Sequence, residues 1–211
     1  MRKLIVSEFL TLDGVMQGPG SPDEDRSGGF EHGGWQIRYV DDVMMGGVGE
    51  GIAAAGAYLL GRRTYEIFAA YWPHQPAGTP FADTLNGLPK HVVSTSLEEP
   101  LAWQHSTLIR GDVAGKVARL KEQPGGNIVV LGSGELVQTL IRHRLVDELG
   151  LIVCPVVLGS GKRLFRGVDT PLGFTLTDSK PTTTGALMLT YVPTAAGAGA
   201  GATDAAVVGT R

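Results

Sequence analysis

The chain has 211 residues, with 21 acidic and 18 basic side chains and a formal net charge of −3. That length suits one domain with a core large enough to need no metal or disulfide staple. The near balance of charge gives no electrostatic footing for a nucleic acid or an anionic membrane. A single cysteine, Cys154, excludes an intramolecular disulfide, and its place in the apolar run Leu151–Cys154 reads as a buried strand rather than a nucleophile.

In chain order, Lys3 to Leu12 reads as a first buried strand. Glu8 and Asp13 interrupt the apolar run after Met1-Arg2-Lys3, so a signal peptide does not fit, and no stretch reaches the ~20 apolar residues of a membrane helix. A cytoplasmic protein is expected. Asp13 to Trp35 is a long irregular stretch of Gly, Pro and acids, a loop long enough to be either functional or disordered. Tyr39 to Ala55 has helical spacing weakened by its glycines. Ala57–Leu60 is a short strand, and Arg62 to Trp72 is a helix stopped by Pro73. Residues 73–89, with four prolines, read as loop.

From there strands and helices alternate. The strands are His91–Ser94, Thr107–Ile109, Asn127–Leu131 and Asp147–Val157; the helices run from an Asp112 cap to Glu122 and from Gly134 to His143. Two further strands near Phe174–Asp178 and Leu187–Val192 close the pattern. Alternation of this kind predicts an α/β fold with a largely parallel sheet, and the final pair predicts an antiparallel edge. From Thr194 the chain turns Ala/Gly-rich and has too few large apolar groups to offset its ordering entropy. The expected division is one domain over 1–193 and a disordered tail over 194–211.

Two strand-to-helix turns carry phosphate chemistry. Leu60-Gly61-Arg62-Arg63-Thr64 ends a strand in glycine, which admits a ligand close to the backbone, and opens a helix whose N-terminus favours anions. Arg62 and Arg63 add bidentate donors, or are simply two solvated arginines after a turn. Leu131-Gly132-Ser133-Gly134-Glu135-Leu136 repeats the logic without the third glycine of the dinucleotide fingerprint, and an ordinary tight turn explains it equally well. Ser94-Thr95-Ser96 place hydroxyls at a third strand end, to meet a phosphate or to cap the chain. Ligands in α/β sheets bind at the carboxyl ends of the strands, where all three lie.

Taken in order, Leu60–Tyr65, Lys90–Ser94 and Leu131–Leu136 resemble the corresponding pieces of dihydrofolate reductases. Leu145–Leu149 leading into Pro155–Phe165, together with Leu12-Asp13-Gly14, resembles the C-terminal reductase domain of the bacterial riboflavin-biosynthesis deaminase/reductase. The resemblance spans roughly residues 3–193. It implies a dihydrofolate-reductase-like three-layer fold, with a mostly parallel central sheet, an antiparallel edge and flanking helices. It also implies an NADPH-dependent reductase acting on a small pyrimidine- or pterin-like molecule, in a homodimer. On that resemblance Gly61, Arg62, Arg63 and Thr64 hold the adenosine phosphates. Ser94, Thr95 and Ser96 stand near the 2′-phosphate, Gly132, Ser133 and Gly134 cradle the diphosphate with Glu135 and Leu136 behind them, and Asp13 and Gly14 flank the nicotinamide.

The sequence departs from the dihydrofolate reductases in two places. Glu135 stands where those enzymes can carry an Arg, and Ile152 where they often place a Thr. Phe68 to Gly78 contains no Arg to clasp a glutamate tail, so folate is not the favoured substrate. Phe30, Trp35, Tyr39, Phe68 and Tyr71 are candidates to stack on a flat substrate ring, and Tyr39, Phe68 and Tyr71 are equally compatible with plain core packing. Asp13, Asp42 and His32 are the candidate proton donors; Asp41-Asp42 also fits a helix cap. No spacing suggests a metal site. Three competing readings remain open at this point: true dihydrofolate reductase activity, a nucleotide-binding protein without chemistry, and a structural homodimer without a ligand, joined through the apolar strand Leu149–Leu158.

Overall fold

The computed structural model describes residues 1–166 and 171–194; most of the tail expected to be disordered lies outside the described residues. Eight strands form one sheet: β1 (Leu4–Thr11), β2 (Ala55–Gly61), β3 (Lys90–Val93), β4 (Ser106–Ile109), β5 (Asn127–Leu131), β6 (Glu148–Cys154), β7 (Phe174–Pro181) and β8 (Leu187–Pro193). Their spatial order is β4-β3-β2-β5-β1-β6-β8-β7. The first six strands in that order run parallel, and β8 and β7 add the antiparallel edge. Among the described residues five α-helices connect them: α1 (Asp42–Ala53), α2 (Arg62–Tyr71), α3 (Ala82–Gly87), α4 (Val113–Glu122) and α5 (Gly134–Arg142).

Alternation along β1 sorts the core into two layers. Leu4, Val6 and Leu10 face α4 and α5, meeting Val117, Leu120, Val137 and Leu140. Phe9 faces the other way, into a cluster with Met44 of α1, Ile152 and Cys154, while α2 and α3 cover Tyr58, Leu60 and Val92 farther along the same face. The outcome is the α/β fold expected from the strand–helix alternation, in the three-layer arrangement that the resemblance implies.

The elements differ from their sequence-based bounds where tertiary contacts outweigh local pattern. The 73–89 stretch contains α3, six residues long, preceded by a single 3₁₀ turn (Trp72–His74). The long strand expected to run to Val157 ends at Cys154, because Pro155 has no N–H to pair and Val157 is solvent-exposed. Helix α1 forms despite four glycines. Asp41 caps it by accepting from the Met44 amide at 2.8 Å, and Met44 and Ile52 are buried. Asp112 caps α4 as expected, accepting from the Gly115 amide at 2.9 Å.

Candidate functional site

The strand ends that the sequence singled out lie side by side. Pairing of Leu59 with Val130 puts Gly61 level with Gly132, one residue past the end of β5, and Gly61 pairs with Val93, the residue before Ser94. The Ser133 hydroxyl accepts the Gly61 amide proton at 2.9 Å and lies 3.0 Å from the Thr64 hydroxyl. This couples the turn before α2 to the turn before α5. Both Gly132 and Ser133 have positive φ, +57° and +69°, and a Cβ on Gly132 would stand 3.2 Å from the Thr64 hydroxyl oxygen. The positive φ favours glycine there, and a side chain would also press on Thr64.

No side chain caps the first turn of α5, so the amides of Gly134, Glu135 and Leu136 are left to an outside acceptor. The Glu135 side chain is exposed and that of Leu136 is buried in the core. Such a cradle of glycine, free amides and hydroxyls fits a dinucleotide diphosphate. Substituting Ser133 by Ala is expected to cost about 1–2 kcal/mol, because the Gly61 amide loses its acceptor; a urea titration measures it, and an unchanged midpoint would count against the coupling.

Other predicted residues take different roles. Arg62 is engaged by Glu66 of its own helix, at 2.9 and 3.0 Å. Arg63 turns to the 13–35 loop, donating to the Ser27 hydroxyl at 2.9 Å with Asp25 at 3.9 Å. The pair thus does not converge on one phosphate position. The buried Ser94 hydroxyl accepts from the amides of Ser96 (3.1 Å) and Leu97 (3.0 Å), closing a local turn that leaves Thr95 and Ser96 exposed.

Asp13 is a fastening. Its carboxylate accepts from the Thr11 hydroxyl (2.6 Å), the amides of Leu158 (3.2 Å) and Gly159 (2.9 Å) and Arg163 (3.2 Å). The Thr11 hydroxyl first, against a smaller opposing effect of burial, and then the two amides hold its pKa down to about 2. Asp13 therefore has no proton to donate near neutral pH, and the role of proton donor expected for it does not suit it. Gly14, at φ +77°, completes the tight turn through which Thr11 receives the Gly14 amide at 2.9 Å. Asp42 is exposed on the first turn of α1 with no side-chain partner among the described residues. Its neighbour Asp41 does the capping and also accepts from the amide and hydroxyl of Thr183, each at 2.6 Å, tying α1 to the β7–β8 turn.

The aromatic candidates divide. Phe30 and Trp35 are buried in the cluster with Val15, Met44 and Cys154, and Tyr39 packs at its margin. The Trp35 indole donates to the Gln17 carbonyl at 2.8 Å. Phe68 belongs to a separate cluster beneath α2, and Tyr71 is half exposed. Phe68 therefore does not share a pocket with Phe30 and Trp35, because α2 faces β2 and β3 rather than β1. Cys154 is fully buried and burial pushes its thiol up to about 11, as the strand reading expects.

Sequence reasoning missed Lys162 and its partners. Lys162 donates to Asp25 and to the Ser27 hydroxyl, both at 2.5 Å, while the Lys162 amide donates to the Gln17 side chain at 3.0 Å. Together with Arg63 these bonds hold the irregular 13–35 loop in one place. The signal is faint: Lys162-Arg163 lies within Pro155–Phe165, but the partners of Lys162 lie more than 130 residues away. Among the described residues no three His, Cys, Asp or Glu side chains are grouped to hold a metal ion, and no helix is long and apolar enough to cross a membrane.

Fold and strand-end geometry define an α/β protein whose glycine turns meet at the carboxyl edge of its sheet. Residues 2–188 match the RibD C-terminal domain family, and the chain belongs to that family. It is 26% identical over 193 residues to the uncharacterized protein YyaP of Bacillus subtilis, covering 90% of this chain and 94% of that one. Among solved structures, a pyrimidine reductase-like protein from Corynebacterium diphtheriae superposes with a TM-score of 0.65 at 10% identity, over 92% of this chain and 93% of that one. The Thermotoga maritima diaminohydroxyphosphoribosylaminopyrimidine deaminase/5-amino-6-(5-phosphoribosylamino)uracil reductase gives 0.59 at 15% identity, over 92% of this chain and 57% of that longer one. Dihydrofolate reductase from Enterococcus faecalis, complexed with NADP(H), gives 0.56 at 15% identity, over 90% and 96%. The fold is dihydrofolate-reductase-like.

Proposed function

We propose that the protein is an NADPH-dependent reductase that passes a hydride to a small pyrimidine- or pterin-like molecule. The observation that carries this reading is the coupling of Gly61, Thr64 and Ser133 beside the uncapped start of α5. Two crossovers there offer backbone amides and hydroxyls to one diphosphate. Membership of the RibD C-terminal domain family supports the reductase class, and the NADP(H) complex of a similarly folded enzyme supports the cofactor. A bound reduced nicotinamide would supply the hydride. The chain's own part is to hold the dinucleotide on the Gly132–Leu136 turn, to fix the 13–35 loop through Lys162 and Arg163, and to exclude water from the reacting ring.

The test is a thermal-shift titration with NADPH and NADH, followed by turnover assays with pyrimidine, pterin and dihydrofolate acceptors. Stabilisation by NADPH and oxidation of NADPH by a pyrimidine or pterin acceptor are the expected results. No stabilisation by either nucleotide would overturn the reading. One observation favours a second reading, a nucleotide-binding protein without chemistry: Asp13 is held ionised and Asp42 faces solvent. That reading expects cofactor binding with no turnover of any acceptor. A homodimer belongs to the first reading, and light scattering at the monomer mass would remove it.

A further inference from the structure

Glu8 has no task in the reading above, and the fold holds it at a cost. It is only 2% exposed, and its Oε1 has no hydrogen-bond partner among the described residues. A buried polar group left unmatched calls for a reason beyond stability. Its position supplies one. Ser7 pairs with Leu131, so Glu8 stands level with Gly132, and on its other side it pairs with Leu151. Val6 and Leu10, which share its face of β1, pack with Leu136, Val137 and Leu140 of α5. α5 starts two residues past Gly132 and runs back over the sheet, so its first turn lies over Glu8. Met16 and Leu164, packed against Gly134, line the same corner with apolar atoms. The carboxyl therefore faces, from inside the core, the turn whose amides point out to the diphosphate.

The charged side chains on the elements around it are turned elsewhere. On α5, Glu135 is exposed and Arg142 lies in the last turn. On α4, Lys121 pairs with Asp147 at 2.7 Å, and Lys116, Arg119 and Glu122 are exposed. On β6, Glu148 pairs with Lys3 at 3.7 Å. Lys162 and Arg163, beside Leu164, pair with Asp25 and Asp13. Burial alone pushes the Glu8 carboxyl well above the ordinary carboxylate range. Two anions do not share the start of one helix without cost. The positive end of α5 favours a carboxylate behind it or a diphosphate before it, and each opposes the other in a medium of low polarity. Linkage makes the effect mutual: an ionised Glu8 weakens the anion, and a bound anion holds the proton on Glu8.

We propose that Glu8 is a positioning residue that couples dinucleotide binding to a proton: the neutral carboxyl leaves the start of α5 to the diphosphate, and the ionised carboxylate drives it off. The inference rests on the dinucleotide reading above. The test titrates NADH and NADPH into the wild type and into Glu8→Gln, which keeps the shape of the neutral carboxyl, from pH 6.5 to pH 9.5. At pH 6.5 the two proteins are expected to bind each nucleotide within about twofold of one another. By pH 9.5 the wild type is expected to bind both nucleotides about tenfold or more weakly than the variant. Lys90 and any other group that titrates in this range does so in both proteins and cancels in the ratio. Calorimetry in two buffers of different ionisation enthalpy adds a readout that needs no variant: NADH binding by the wild type takes up protons within the range. Parallel pH profiles for the two proteins overturn the proposal, as does wild-type binding without proton uptake at any pH tested. A pH effect on NADPH alone overturns it too, since the diphosphate is common to both nucleotides. So does a folded Glu8→Gln variant that binds neither nucleotide while the wild type binds them, for the carboxyl would then hold the ligand itself. If wild type and variant both bind neither, the dinucleotide reading fails and this inference fails with it.

Discussion

Replacing Lys90 by methionine is expected to destabilise the protein by about 2–4 kcal/mol. Lys90 is fully buried, and its ammonium donates to the carbonyls of Leu85 (2.9 Å), Asn86 (3.0 Å) and Leu88 (2.8 Å) at the end of α3. It also stands 4.3 Å from the centre of the Trp103 ring, whose indole N–H donates to the Asn86 side chain at 2.7 Å. Methionine preserves most of the volume but leaves the carbonyls of Leu85 and Leu88 without that donor. Relief from burying a charge offsets part of the loss, so the figure stays below three full hydrogen bonds to a cation.

The pH dependence of Lys90 has a definite sign. Burial pushes its pKa down from the ordinary 10.5 to about 8. Between those values the unfolded chain binds more protons than the folded one, so the Lys90 contribution to stability rises with pH across that window. Urea titrations at pH 7 and pH 9.5 measure it: the wild type gains relative to Lys90→Met at the higher pH. A variant as stable as the wild type at pH 7 would show that the α3 carbonyls do not depend on Lys90.

Replacing Glu8 by methionine has the opposite expected sign, a gain of about 1–3 kcal/mol at pH 7. Glu8 lies on β1 between Val6 and Leu10 on the face covered by α5, is only 2% exposed, and its Oε1 has no hydrogen-bond partner. Burial raises its pKa well above the ordinary carboxylate range. The folded chain therefore holds a proton that the unfolded chain has released, and stability falls as pH rises above the usual glutamate value. The gain from methionine should be smallest near pH 4, where the carboxyl is neutral in the fold, and grow toward neutrality. Urea titrations across that range decide it, and a loss of stability at pH 7 would mean that the carboxyl makes a contact the fold depends on.

Lys90 and Glu8 mark where the sequence was hard to read. Strands with strict alternation or long apolar runs were legible: β5 has the bounds its pattern predicts, and the Asp112 cap sits where α4 begins. Helix α3 was not, because six residues among prolines carry no periodic stripe and depend on a donor, Lys90, that belongs to the next strand. Glu8 read only as a break in an apolar run, since nothing local shows that its strand is central. The glycine turns at Gly61 and Gly132 were legible because their backbone demands are local. The fates of Arg63 and Asp13 were not, because Ser27 and Arg163 lie 36 and 150 residues away and claim them only after folding.

The Asp13 fastening has a practical consequence for reshaping the protein. It joins the turn after β1 to residues 158–163, some 150 positions later in the chain. The Arg163 side chain also donates to the Asp13 carbonyl at 2.8 Å, so both the side chain and the backbone of Asp13 are held. The two segments are thereby tied to each other. A graft of either one must bring the other with it, since Asp13 or Arg163 alone arrives without its mate.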